Sequence, residues 1–120
     1  MLALAAGCGV VAASGCGDER RVSFAREVQT IFDKKCTSCH PTSYPQLDLR
    51  SGRSYQDLIR VPAATNLAFQ RVLPGRPELS FLLTHNPDPL LRGLLTDQER
   101  ETMRRWILEG AVDDSPGSKR

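Results

Sequence analysis

Ser23-Phe24-Ala25-Arg26-Glu27-Val28-Gln29-Thr30-Ile31-Phe32-Asp33-Lys34-Lys35-Cys36-Thr37-Ser38-Cys39-His40 is the stretch on which the reading of this chain turns. Phe24, Val28, Ile31 and Phe32 recur at the i, i+4, i+7, i+8 spacing of one helical face, and Ser23 stands where an N-cap belongs. The spacing predicts a helix that carries two thiols and an imidazole at its C-terminal end. Pro41 blocks a simple continuation.

Downstream, residues 41–53 hold Pro, Ser and Gly around Leu47-Asp48-Leu49 and read as a loop with at most a very short extended piece. Ser54 opens a short helix with Tyr55, Leu58 and Ile59 on one face, which Pro62 ends. Pro74-Gly75 marks a turn, and Pro77 suits the first position of another short helix bearing Leu79, Leu82 and Leu83. Pro87 and Pro89 terminate it. Thr96-Asp97-Gln98-Glu99 is a capping box, Met103, Trp106 and Ile107 form a buried stripe, and Gly110 supplies the stop. No alternating run is long enough for a sheet, so the expected fold class is all-α.

The 120 residues leave room for one domain. A charged fraction of 25% and a net charge of +2, with both signs mixed along the chain, give no reason to expect a nucleic-acid partner. Aromatic residues are only 6% of the chain, so a bound group could help to fill the core.

Cys36-x-x-Cys39-His40 is the pattern of covalent haem attachment. Two thiols three residues apart near a helix end can reach the two vinyl groups of one porphyrin. Cys36 and Cys39 are therefore expected to form thioethers, and His40 to be the proximal ligand of the iron, with one haem c per chain. A structural zinc site is an alternative, but it needs four ligands and the chain offers only His85 beyond the motif. A thioredoxin-like dithiol is another, and it calls for a βαβ setting.

The other cysteines, Cys8 and Cys16, lie in a segment without charged side chains, Met1 to Gly17, whose apolar run from Leu2 to Ser14 is too short to span a bilayer as a finished helix. It reads as a secretory signal over residues 1–15. Ala13-Ser14-Gly15-Cys16 resembles a lipobox, with cleavage before Cys16 and lipidation of that residue; Ala5-Ala6-Gly7-Cys8 is a weaker match. No positive charge precedes Leu2, a departure from the usual start of a signal peptide. Residues 16–22 are expected to be a short linker, 23–112 the folded domain and 113–120 a disordered tail.

Over residues 24–111 the chain resembles the small bacterial class-I-like cytochrome c domains called planctomycete-type. The resemblance rests on Phe24, Val28, Ile31 and Phe32 running into Cys36-Thr37-Ser38-Cys39-His40, on Leu47-Asp48-Leu49, and on Ser54-Tyr55. It continues through Val72-Leu73-Pro74-Gly75-Arg76-Pro77-Glu78-Leu79-Ser80 and Trp106-Ile107-Leu108-Glu109-Gly110-Ala111. It implies a cytochrome c fold in which the first and last helices cross around one covalently bound haem. Family members usually carry Met-Pro before the final helix, where this chain reads Asn86-Pro87. His85 adjoins the vacant slot and is the expected distal iron ligand, while Met103 belongs to the apolar face of the last helix.

The function expected from these residues is single-electron transfer outside the cytoplasm by a carrier that is not an enzyme. Redox proteins are the expected partners of a monomer, either periplasmic or anchored to the membrane through lipidated Cys16. Arg50, Arg71 and Arg76 are candidates to pair with haem propionates. A five-coordinate haem sensor or peroxide-reacting protein is the alternative, and a non-redox interaction lipoprotein is a third reading.

Overall fold

Ser23 starts the first helix because its hydroxyl accepts from Arg26 N at 3.1 Å while its own N–H reaches the Glu27 carboxylate at 2.9 Å. The computed structural model describes residues 20–84 and 93–118. Its first helical turns, Phe24–Val28, are wound as a π-helix, with Ser23 O accepting from both Glu27 N and Val28 N. They lead directly into α1, Gln29–Lys35. The chain continues through α2, Ser54–Leu58, then β1, Pro62–Ala63, and β2, Asn66–Gln70. A 3-10 turn, Pro77–Leu79, precedes α3, Phe81–Thr84, and α4 spans Asp97–Leu108.

The core forms where the first helical segment meets α4. Phe24 stacks on Trp106 with ring centroids 5.0 Å apart, and Tyr55 closes edge-on against Phe24 at 5.4 Å. Val28, Phe32, Leu58, Val72, Met103 and Ile107 fill the space around these rings and are buried. Gln29 satisfies its buried amide completely. It donates to Asp33 Oδ1 and Leu49 O and accepts from the Ser54 hydroxyl, which fixes α2 and the Leu49 loop against α1. Thr96 and Glu99 form the reciprocal capping box at the start of α4.

The all-α expectation is corrected by this architecture: among the described residues four α-helices accompany a two-stranded antiparallel sheet, a mixed fold rather than a purely helical cytochrome c arrangement. β1 pairs with β2 in the register Pro62 to Gln70 and Ala63 to Asn66, with an irregularity between the two pairs. Non-local backbone bonding produces these strands. Arg60 takes a left-handed conformation at φ 59°, its N–H reaches Val72 O, and Arg71 N reaches Val61 O. Pro62 tolerates a strand because the edge position leaves its missing N–H unneeded. Neither strand alternates apolar with polar residues, so the pattern that normally announces a strand is missing.

The expected helix from Pro77 is divided at Ser80, which is extended and fully buried. Its hydroxyl accepts from Leu73 N and donates to Arg76 O, both at 2.9 Å. That bonding separates the 3-10 turn from α3 and leaves Leu79 exposed. The segment read as a disordered tail is held at its start, since Asp114 Oδ1 accepts from Ala25 N at 2.9 Å and Val112 O accepts from the Trp106 indole at 3.0 Å. No helix among the described residues is long and apolar enough to cross a membrane.

Candidate functional site

The helix that Ser23 begins ends in a run of shared carbonyls rather than a clean stop. Phe32 O accepts from Cys36 N and Thr37 N, Cys36 O from Cys39 N and His40 N, and Cys39 O from Ser43 N and Tyr44 N. The outer two pairs are α- and π-type, and the middle one, at i+3 and i+4, is the tight one, so Cys36, Cys39 and His40 stay within one short turn. Both cysteines are free thiols.

Their surroundings differ. Cys36 packs against the core and is half-buried; burial pushes its thiol up to about 11, with the neighbouring Cys39 and the Glu99 carboxylate adding to the shift. Cys39 is exposed. His40 is half-buried, and its Nδ1 is fully covered without a hydrogen-bond partner among the described residues. Covered polar atoms are nearly always bonded, so this ring is incompletely satisfied as it stands. The Tyr44 ring lies beside it, with centroids 5.4 Å apart and planes 35° apart.

Lys35, immediately before Cys36, joins this turn to the last helix. Its ammonium donates to Glu99 Oε1 at 2.8 Å and to Leu94 O at 2.9 Å. The pairing holds the Glu99 carboxyl below the usual range, with the Thr96 N–H assisting. Neither Lys35 nor Tyr44 was singled out from the sequence. Tyr44 follows His40 by four residues, a spacing that puts two side chains on one side of a helical turn, but Pro41 between them masks that signal.

The three arginines considered for propionates divide by their partners. Arg50 forks onto Asp48 at 3.0 and 2.8 Å, holding that carboxyl down to about 2, and Arg76 bonds Glu78 at 2.6 Å. Arg71 donates instead to two neutral carbonyls, Asp57 O at 2.9 Å and Gln46 O at 3.0 Å. His85 and Cys16, like Cys8, lie outside the described residues.

The donors at this turn are two thiols and one imidazole, the set a c-type haem would use. Among the described residues no three His, Cys, Asp or Glu side chains converge as a metal-holding group. A c-type haem asks less of the protein at this turn: two thiols for the ring and one imidazole for its iron. Leu47, Ile59, Leu82, Leu83 and Leu95 pack on the same core as Cys36, yet each is only partly covered. Two surface cavities, of about 280 and 310 Å³, lie elsewhere along the first helix and α4, and neither is lined by a residue of the Cys36 to His40 turn.

No family model matches the chain, and neither a curated protein nor a solved structure matches it at significance.

Proposed function

We propose that this chain is a monohaem c-type cytochrome that carries single electrons outside the cytoplasm, with Cys36 and Cys39 as thioether sites and His40 as the proximal iron ligand. The observation that carries this reading is the shared-carbonyl turn, in which Cys36 O accepts from both Cys39 N and His40 N and so keeps two thiols and one imidazole together. When bound, the haem supplies a one-electron couple between ferric and ferrous iron. The chain's own residues attach and orient it. Cys36 would fix one edge against the core, Cys39 the edge towards solvent, and His40 would present a ring already flanked by Tyr44. The partly covered Leu47, Ile59, Leu82, Leu83 and Leu95, packed on the same core as Cys36, would limit water on the buried side. Export through the 1–15 segment, with lipidation of Cys16, belongs to the same reading.

The test is the mass and visible spectrum of protein matured with the haem-attachment machinery. A covalent adduct with sharp low-spin bands is expected, and a colourless protein at the bare polypeptide mass overturns the proposal. Cys36→Ser with Cys39→Ser should leave any haem extractable by acidic acetone. His85→Ala should turn low-spin iron high-spin or make it bind carbon monoxide, and an unchanged spectrum removes His85 from the site. A parent protein that is high-spin and sensitive to carbon monoxide belongs to the sensor or peroxide-reacting alternative.

A further inference from the structure

The backbone of His40 is fixed on both sides, for its N–H donates to Cys36 O at 3.0 Å and its carbonyl accepts from Leu49 N at 3.4 Å. Its ring is not fixed in the same way. Nδ1 is covered and has no hydrogen-bond partner among the described residues. A metal-ligating histidine almost always donates its second ring N–H to a carboxylate, a carbonyl or water, and that bond sets the plane of the ring. An imidazole that ligates through Nε2 carries its one proton on Nδ1, and here that proton meets no acceptor among the described residues.

What does touch the ring is Tyr44, with centroids 5.4 Å apart and planes 35° apart. That separation lies within the range of about 4.5 to 7 Å over which aromatic rings attract. The contact is built into the turn, because Tyr44 N donates to Cys39 O at 3.0 Å and Tyr44 O accepts from Leu47 N at 3.3 Å. Tyr44 is no core residue, since 48% of its surface is exposed. Resting on the haem reading above, we propose that Tyr44 is the positioning residue of the proximal ligand: its ring contact, and not a hydrogen bond at Nδ1, holds the plane of the His40 imidazole. The hydroxyl has no part in this, so phenylalanine serves as well as tyrosine.

Two measurements on the full chain test this. In haem-free protein, Tyr44→Ala should shift the nuclear magnetic resonance signals of the His40 Cδ2–H and Cε1–H protons, because the neighbouring ring current is lost, whereas Tyr44→Phe should leave them near the parent positions. Unmoved His40 signals in Tyr44→Ala would overturn the proposal. In haem-loaded ferric protein, low-temperature electron paramagnetic resonance reads the plane of an axial imidazole through the spread of the g values. The parent and Tyr44→Phe should share one set, and Tyr44→Ala should give a changed or broadened set while its far-ultraviolet circular dichroism stays that of the parent. A role in folding alone would not move the g values. Identical g values in the parent and Tyr44→Ala would sink the inference, as would a hydrogen-bonded Nδ1–H signal of His40 in the reduced, diamagnetic protein. Absence of covalent haem in the parent would instead sink the proposed function.

Discussion

Lys35 Nζ lies 2.8 Å from Glu99 Oε1, the same oxygen that accepts from Thr96 N at 2.9 Å, so one carboxylate both closes the α4 capping box and anchors the residue before Cys36. The side chains are only 25% and 16% exposed. Partial shielding makes this tie stronger than an ordinary surface ion pair, because solvent screens it less.

Lys35→Met removes the cation and leaves Leu94 O without its donor. The expected cost is about 1 kcal/mol of unfolding free energy, read from urea denaturation. A double-mutant cycle with Glu99→Gln should give a coupling clearly different from zero. Additive losses would show that the two groups do not stabilise one another.

Acid should weaken the fold through the same carboxylate. Glu99 is held below its ordinary value of 4.5, first by Lys35 and then by the Thr96 N–H, and Asp48 falls from 3.8 to about 2 beside Arg50. The unfolded chain therefore takes up these protons first as pH falls. Their stabilisation is complete above the unfolded values and is lost on acidification from about 4.5 towards 2. Urea midpoints measured through this window should drop in the parent and drop less steeply in Glu99→Gln. Parallel acid profiles would remove Glu99 from the account.

Trp106 is 1% exposed, stacked on Phe24, and bonded through its indole to Val112 O. Trp106→Ala is expected to cost about 3 to 5 kcal/mol, the usual range for deleting a large buried ring. Far-ultraviolet circular dichroism is the suitable probe, because the substitution removes the chain's only tryptophan. A loss below about 1 kcal/mol would contradict a core centred on this ring.

Ser80→Ala strands the Leu73 N–H, whose acceptor is the fully buried Ser80 hydroxyl at 2.9 Å. An unsatisfied buried donor costs about 1 to 3 kcal/mol. Ser80→Thr, which keeps the hydroxyl, should restore part of this bonding if the site admits a methyl group. Hydrogen exchange of the Leu73 amide should accelerate in Ser80→Ala, and unchanged protection would refute the bond's role.

In haem-free protein, iodoacetamide should modify Cys39 well before Cys36, because Cys39 is exposed while Cys36 is half-buried with its thiol pushed up to about 11. Peptide mass mapping over a time course reads the order. Equal rates would mean that the packing of Cys36 against the core is not maintained in solution. After covalent haem attachment neither thiol should react.

Local signals in the chain were enough for the first helix, α2 and α4. Ser23 before an i, i+4, i+7, i+8 stripe, and Thr96 with Glu99 before Met103, Trp106 and Ile107, are cues read within one or two turns, and their bonds close inside the same element. Cys36, Cys39 and His40 could be picked out as a candidate site for the same reason, since their spacing is the geometry that the proposed haem, with two attachment points, would require. The hairpin was not legible. Pro62, Ala63 and Asn66 have little intrinsic strand preference, and their pairing depends on Arg60, Val61, Arg71 and Val72 bonding across the chain.

Sequence alone therefore determined where the first helix, α2 and α4 begin, which faces they bury and which three residues make up the candidate site, because each depends on neighbours a few positions away. Tertiary structure alone decided that the fold is mixed, that Ser80 divides an expected helix, and that Lys35 meets Glu99 across 64 positions of chain. Those outcomes depend on buried polar groups finding partners far away in sequence, and no local pattern encodes which partner will be near.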